Sequence, residues 1–313
     1  MHSYSLIAPA KINLYLEIIG DRPDGYHELA MLLQSIDLAD RITLRPNGIQ
    51  TIRVHCDDPQ VPLDESNLAY QAAALMAEQF SEAYGRYGGV EISIQKRIPI
   101  GAGLAGGSTD AAAVLVGLNL MWSLGLTQSE LQELGGRLGS DVPFCIVGGT
   151  AIATGRGEQL SSLRSLDNLY AVLAKYRNLP ISTAWAYKTY RQQFKNTYAA
   201  LNNLVERKQR VHSGSMVAAI ACQDSQRIGQ LLHNDLEKVV LPAHPQVAEL
   251  RDKLRQLETL GVMMSGSGST VFALIESQFR AERVRQELRD LLPDPNLEMW
   301  TTRLINMGIQ VVP

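Results

Sequence analysis

Cysteine is scarce. The three in this chain of 313 residues, Cys56, Cys145 and Cys222, lie far apart and form no close pair of the kind that builds a zinc knuckle or a redox motif, so they read as reduced residues. The six histidines include no HExxH pair, which removes the common signature of a zinc hydrolase. No Gly-Lys dipeptide occurs, and a Walker phosphate loop is thereby excluded. A basic excess is missing too: 29 Lys and Arg stand against 32 Asp and Glu, for a formal net charge of -3. That balance offers no footprint for gripping a polyanionic duplex, so nucleic acid is not an expected partner. Long apolar runs are also absent. The most apolar stretch, AAAVLVGLNLMW at 111 to 122, is interrupted by Asn119 and is shorter than the roughly 20 residues of a membrane span. The opening MHSYSLIAPAK has no basic segment leading into an apolar run and a cleavage site, so a cytoplasmic protein without a membrane segment is the expectation.

What remains is an ordinary globular composition, 45% hydrophobic and 19% charged. A chain this long is expected to form two cores. From Lys11 to Ile18 the residues alternate, with Ile12, Leu14, Leu16 and Ile18 on one face and Lys11, Asn13, Tyr15 and Glu17 on the other, which predicts a half-buried strand. Further strands are predicted at 41 to 45, 49 to 56 and 90 to 95. Helices are expected from Ser66, from Ser108 and after the capping box Thr127 to Glu130. The stretch 160 to 168 lacks apolar periodicity and is the candidate boundary, giving domains 1–163 and 164–313. Beyond it the expected order is strand 170–174, helices within 182–257, strands 262–265 and 271–275, helix 278–291 and strand 299–305. That order fits a ferredoxin-like split βαβ unit and makes the whole chain α+β. The polar stretch 195 to 214 is expected to be a loop or frayed helix.

Residues 101 to 112, GAGLAGGSTDAA, link a predicted strand to a predicted helix, so their backbone amides can converge on one anion. Gly101, Gly103, Gly106 and Gly107 let the backbone approach phosphate oxygens, and Ser108 and Thr109 add hydroxyl donors. The embedded GxGxxG does not read as a dinucleotide site, because residues 111 to 129 contain no Asp or Glu to meet a ribose.

Three separated segments resemble the GHMP kinases. They are RIPIGAGLAGGSTDAA at 97–112, LGSDVPFCIVGGTA at 138–151 and MMSGSGSTVFAL at 263–274. The resemblance implies a two-domain kinase fold, ATP as phosphoryl donor and Mg2+ as cofactor. The ATP site it implies comprises Asn67, Lys96, Pro99, Gly101, Ala102, Gly103, Leu104, Ala105, Gly106, Gly107, Ser108 and Thr109. It further implies Asp141 as the base that takes a hydroxyl proton and Lys11 as its cationic partner, able to stabilise charge on the phosphoryl group. The run APAKINLYLEIIGDRPDGYHEL at 8–29 resembles one branch of the family and implies a small-molecule acceptor carrying a cytidine diphosphate, met by Asn13, Tyr26, His27 and, from the second domain, Tyr187. Tyr26 and His27 follow the turn signal Asp24-Gly25 and are expected on an exposed loop, where a ring platform and an edge reader suit a pyrimidine. For Tyr187 a helix-face core role is the alternative. Asn67 and Lys96 could equally be capping and solvated residues, and the SGSGST loop at 265–270 a tight hairpin. Asp110 is expected to point away from phosphate and complement the helix dipole. The expected assembly is a monomer or weak homodimer; metal ligands are not assigned.

Overall fold

The computed structural model describes residues 2–198 and 214–312. Two sheets organise them. The first is built on a long hairpin, Tyr4–Asp21 (β1) and His27–Pro46 (β2), joined by the Asp24-Gly25 turn, in which Gly25 takes a φ of +86°. Ile52–Cys56 (β3) and Val90–Gln95 (β4) extend it, and Thr150–Gly155 (β5) pairs with the start of β2 and carries Gln159–Ser162 (β6). The stretch taken as the candidate boundary for its lack of apolar periodicity therefore begins with a strand.

The second sheet has the order β11-β7-β10-β9, made from Tyr170–Tyr176 (β7), Gly261–Met264 (β9), Val271–Ile275 (β10) and Leu297–Arg303 (β11), all antiparallel. That is the ferredoxin-like order. Two short strands from this later part return to the first sheet: His233–Asn234 (β8) lies parallel to β1, and Gln310–Val312 (β12) antiparallel to it. Neither shows in the sequence, because two or three residues carry no periodicity.

Leu68–Gln79 (α1), Ser81–Tyr87 (α2), Gly106–Met121 (α3), Gln128–Leu138 (α4) and Val142–Val147 (α5) belong to the first part. The capping box is formed, Thr127 Oγ1 accepting from the Glu130 N–H while the Glu130 carboxylate accepts from the Thr127 N–H. Ala111 to Leu115 of α3 are buried against α1 and the sheet. The second part holds Thr183–Phe194 (α6), Ser215–Cys222 (α7), Ser225–Gln230 (α8), Glu237–Ala243 (α9), Pro245–Arg255 (α10) and Gln278–Leu291 (α11). Most of 195 to 214 lies outside the described residues; Lys195–Thr197 form a single 3-10 turn. All three cysteines are free. Among the described residues no helix is long and apolar enough to cross a membrane.

β1 departs from its expected half-buried form in a way that places the site. The strand is not half-exposed: Lys11 and Asn13 are as buried as their apolar neighbours. Nor does the alternation run through. Asn13 pairs with Leu33 but Tyr15 pairs with Leu32, so a bulge at Leu14 exchanges the faces. Lys11 and Asn13 consequently share a face with Leu16 and Ile18, while Ile12 and Leu14 pack into a separate cluster with Leu32.

Candidate active site

Lys11 is fixed at both ends. Its N–H donates to the Leu104 carbonyl at 3.1 Å, tying β1 to the glycine loop, and its Nζ donates to Asn13 Oδ1 at 2.8 Å. The same Nζ lies 3.5 Å from Asp141 Oδ2. Asp141 stands between α4 and α5, at a turn closed by the Val142 N–H to the Gly139 carbonyl, with Pro143 inside the first turn of α5. Lys11 is buried while the Asp141 side chain is 28% exposed, so the carboxylate faces open space and the ammonium backs it.

The glycine loop is a backbone device. Gly101 and Gly103 adopt φ of 59° and 72°. At Gly103 a Cβ would sit 2.1 Å from the Ser265 carbonyl oxygen, a contact no side chain can make. Ser265 Oγ in turn donates to the Gly103 carbonyl, and the Asn234 amide donates to the carbonyls of Met264 and Gly266, each at 2.8 Å. The 265–270 loop is therefore packed on the glycine loop, with Gly266 and Ser267 facing the same cavity. The helix α3 begins at Gly106, two residues earlier than expected, so the first-turn amides of Gly106, Gly107 and Ser108 have no partner within the helix and line the cavity. Thr109 does not join them. It is fully buried and absent from the cavity wall, so its expected part as a phosphate donor is not what the geometry offers.

Beneath the loop lies a charged cluster that sequence reasoning missed. Lys96 Nζ donates to Asp40 Oδ2 and to Asp110 Oδ2, each at 2.6 Å, and all three side chains are at most 5% exposed. Asp40 also accepts from the N–H groups of Arg97 and Ile98, the segment that leads into the loop. Burial pushes the Asp110 carboxyl up to about 8; Lys96 opposes that rise and the Asp40 charge adds to it. Burial works against the Lys96 ammonium, but the two carboxylates outweigh it and raise its pKa. The solvated reading of Lys96 is thus overturned, as is the dipole reading of Asp110, which sits beyond the first turn of α3 and accepts a hydrogen bond from Lys96. Asn67 caps α1, its Oδ1 accepting from the Ala69 N–H at 2.8 Å, and also borders the cavity.

The other end of the cavity is made of rings and cations. Tyr26 is 53% exposed, with the Arg156 guanidinium 4.9 Å from its ring centroid. His27, expected on the exposed loop, is instead the buried first residue of β2; its ring lies 5.2 Å from that of Tyr187, and its Nε2 has no hydrogen-bond partner. Burial lowers the His27 pKa to about 4, the Arg191 charge pushing the same way and Asp21 opposing, so the imidazole is neutral near pH 7. Arg156, Lys188 and Arg191 border this end, and none was picked out from the sequence. One cavity of about 890 Å3 runs from Asn67, Lys96 and Pro99 past residues 101 to 108, Lys11, Asn13 and Asp141 to Tyr26, His27 and Tyr187.

Family models match both parts of the chain: the GHMP kinases N terminal domain over residues 67–149 and the GHMP kinases C terminal domain over 215–294. A 4-diphosphocytidyl-2-C-methyl-D-erythritol kinase of Nostoc punctiforme is 66% identical over 99% of this chain and 99% of its own length. The chain belongs to the GHMP kinase family. A crystal structure of a 4-(cytidine 5'-diphospho)-2C-methyl-D-erythritol kinase superposes with a TM-score of 0.73 at 34% identity, covering 96% of this chain and 98% of the other. A homoserine kinase from Cytophaga hutchinsonii superposes with a TM-score of 0.77 at 21% identity, covering 100% and 98%. The GHMP fold is therefore common to enzymes named for different acceptors, and the acceptor has to be argued from the site itself.

Proposed function

We propose that the chain transfers the γ-phosphoryl group of ATP to the 2-hydroxyl of 4-diphosphocytidyl-2-C-methyl-D-erythritol, giving the 2-phosphate and ADP, a step of the non-mevalonate route to isoprenoid precursors. The observation that carries this reading is a single cavity with an amide-lined glycine loop at one end and Tyr26, His27 and Tyr187 at the other, the Lys11–Asp141 pair lying on its wall. Homoserine and mevalonate carry no base to meet those rings. The cavity also falls in the usual range for small-molecule sites.

In the step itself the acceptor oxygen forms a bond to the γ-phosphorus, the bond from that phosphorus to the ADP oxygen breaks, and the hydroxyl proton passes to Asp141. Lys11 stabilises the charge on the transferring group, and the first-turn amides of α3 hold the phosphates in line. A neutral His27 offers both a donor and an acceptor nitrogen for the edge of a pyrimidine. Among the described residues no cluster of three acidic, histidine or cysteine side chains is placed to hold a metal. Mg2+ suits such a site, since it is commonly held by phosphate oxygens and water with one or two protein oxygens. Ser108 and Asp141, which border the cavity, are among the groups that would hold it. Bound there, the ion would neutralise charge on the phosphates. Three unpaired cysteines suit a reducing cytoplasm.

The test is ADP release from ATP with 4-diphosphocytidyl-2-C-methyl-D-erythritol beside homoserine and mevalonate. Turnover with the first alone is the expected result; turnover with either of the others and none with the first would discard the assignment.

A further inference from the structure

Tyr26 is carried by an exposed turn, and much of what braces that turn is local. Arg22 pairs with Asp24 and Glu28, the Arg22 N–H donates to the Tyr26 carbonyl, and the Tyr26 N–H donates to Asp24 Oδ1. These contacts brace the turn from within. Tyr187 belongs to the other part of the chain. It sits on α6, which is anchored by Ala186 and Tyr190 in a core that also takes in Leu16, Ile18 and Leu29 of the first sheet, Tyr190 being stacked on Phe194. Rings borne by separate elements keep a fixed spacing when something spans the gap between them.

Arg191 spans it. It lies four residues after Tyr187 on α6, hence on the same face. Its Nε donates to Asp21 Oδ1 at 2.6 Å, and its Nη2 donates to the carbonyls of Gly25 at 2.9 Å and Tyr26 at 3.4 Å. The guanidinium fork therefore grips a carboxylate at the end of β1 and the turn backbone that sets where the Tyr26 ring stands. Both atoms it holds on the turn belong to the main chain, so the contact fixes the position of the turn independently of its side chains.

We infer that Arg191 is a positioning residue for acceptor recognition, a clamp from α6 that fixes the Gly25–Tyr26 turn against Tyr187 and His27. The inference rests on the proposed use of Tyr26 in holding the base. A clamp of this kind acts on acceptor binding and leaves both the nucleotide end and the Lys11–Asp141 pair alone. Lysine in its place keeps a charge for Asp21 but loses the fork, so the conservative change restores only part of the effect.

The experiment is steady-state kinetics of the full chain with ATP and 4-diphosphocytidyl-2-C-methyl-D-erythritol, for Arg191→Ala, Arg191→Lys, Asp21→Asn and Tyr26→Ala. Arg191→Ala is expected to raise the acceptor KM about tenfold or more, with kcat and the ATP KM changed less than about threefold. Arg191→Lys is expected between wild type and alanine, and Asp21→Asn in the same direction as both. If Arg191→Ala does not fold, the lysine and Asp21→Asn variants carry the same test. A fall in kcat with both KM values raised alike shows a merely structural residue and overturns the inference, as does an unchanged acceptor KM while Tyr26→Ala raises it. Should Tyr26→Ala itself leave the acceptor KM unchanged, the base-site reading falls, and the clamp with it.

Discussion

The two ends of the cavity are built on different principles. The end proposed for the phosphoryl donor, residues 97 to 112, is backbone: glycines at positive φ, free helix amides and a carbonyl contact from Ser265, all resting on the buried Asp40–Lys96–Asp110 cluster. The end proposed for the acceptor is side chain: rings from the turn before β2, from β2 and from α6, cations from the β5–β6 hairpin and α6, and ion pairs open to water. A phosphate is nearly the same object in every kinase, so a fixed backbone cradle suits it. An acceptor is particular, and its recognition is left to residues that can be exchanged without rebuilding the fold.

That contrast makes the donor end the more fragile. Gly103→Ala places a Cβ against backbone that cannot yield, at a φ that alanine disfavours, and a loss of at least about 100-fold in kcat/KM for ATP is expected from the displaced loop. Steady-state kinetics with varied ATP checks it; an ATP KM within error of wild type would mean that the loop does not hold the nucleotide. Next in size, Lys96→Met leaves the buried Asp40 carboxylate, with Asp110 beside it, without its cation and is expected to cost about 3 to 5 kcal/mol of stability, read by urea unfolding. A loss below about 1 kcal/mol would show that the cluster is not what supports the loop.

At the acceptor end the expected effect is smaller and depends on pH. His27 titrates near 6.5 when unfolded and near 4 when folded. A lowered folded pKa means that its contribution is fully present above 6.5 and is lost as the pH falls to about 4. Asp110 has the opposite sign: its folded pKa is raised, so its contribution is present below the unfolded value of 3.8 and is lost as the pH rises through about 8. His27→Gln is therefore expected to flatten the acid loss of stability between those His27 values, measured by urea unfolding across that range. An unchanged slope would show that His27 is not held neutral by its surroundings.

The same contrast explains what could be read in advance. The glycine loop that we propose holds the nucleotide could be singled out because its chemistry is contiguous: glycines, a serine and a helix start within a dozen residues. Lys11 and Asp141 were named through segments that resemble a family, and their 3.5 Å approach gives that pairing a geometry. Asp40 was not legible, since an aspartate late in a strand reads as solvated and only the approach of β4 and α3 buries it. Its one local signal was a charge preceding the apolar alternation of Ile42 and Leu44. Arg156, Lys188 and Arg191 were missed because surface cations on a hairpin and a helix look alike until the two parts of the chain face each other across the cavity. The bulge at Leu14 was hidden because a flawless alternation gives no hint of the extra residue that breaks it.

The two ends meet at Asp141, where the acceptor hydroxyl would face the phosphoryl group. Asp141→Asn keeps the shape and removes the base. With 4-diphosphocytidyl-2-C-methyl-D-erythritol, kcat is expected to fall by about 10² to 10⁴, while ATP and the acceptor still bind with dissociation constants within about threefold of wild type. Turnover at the wild-type rate would contradict the role of Asp141 as the base.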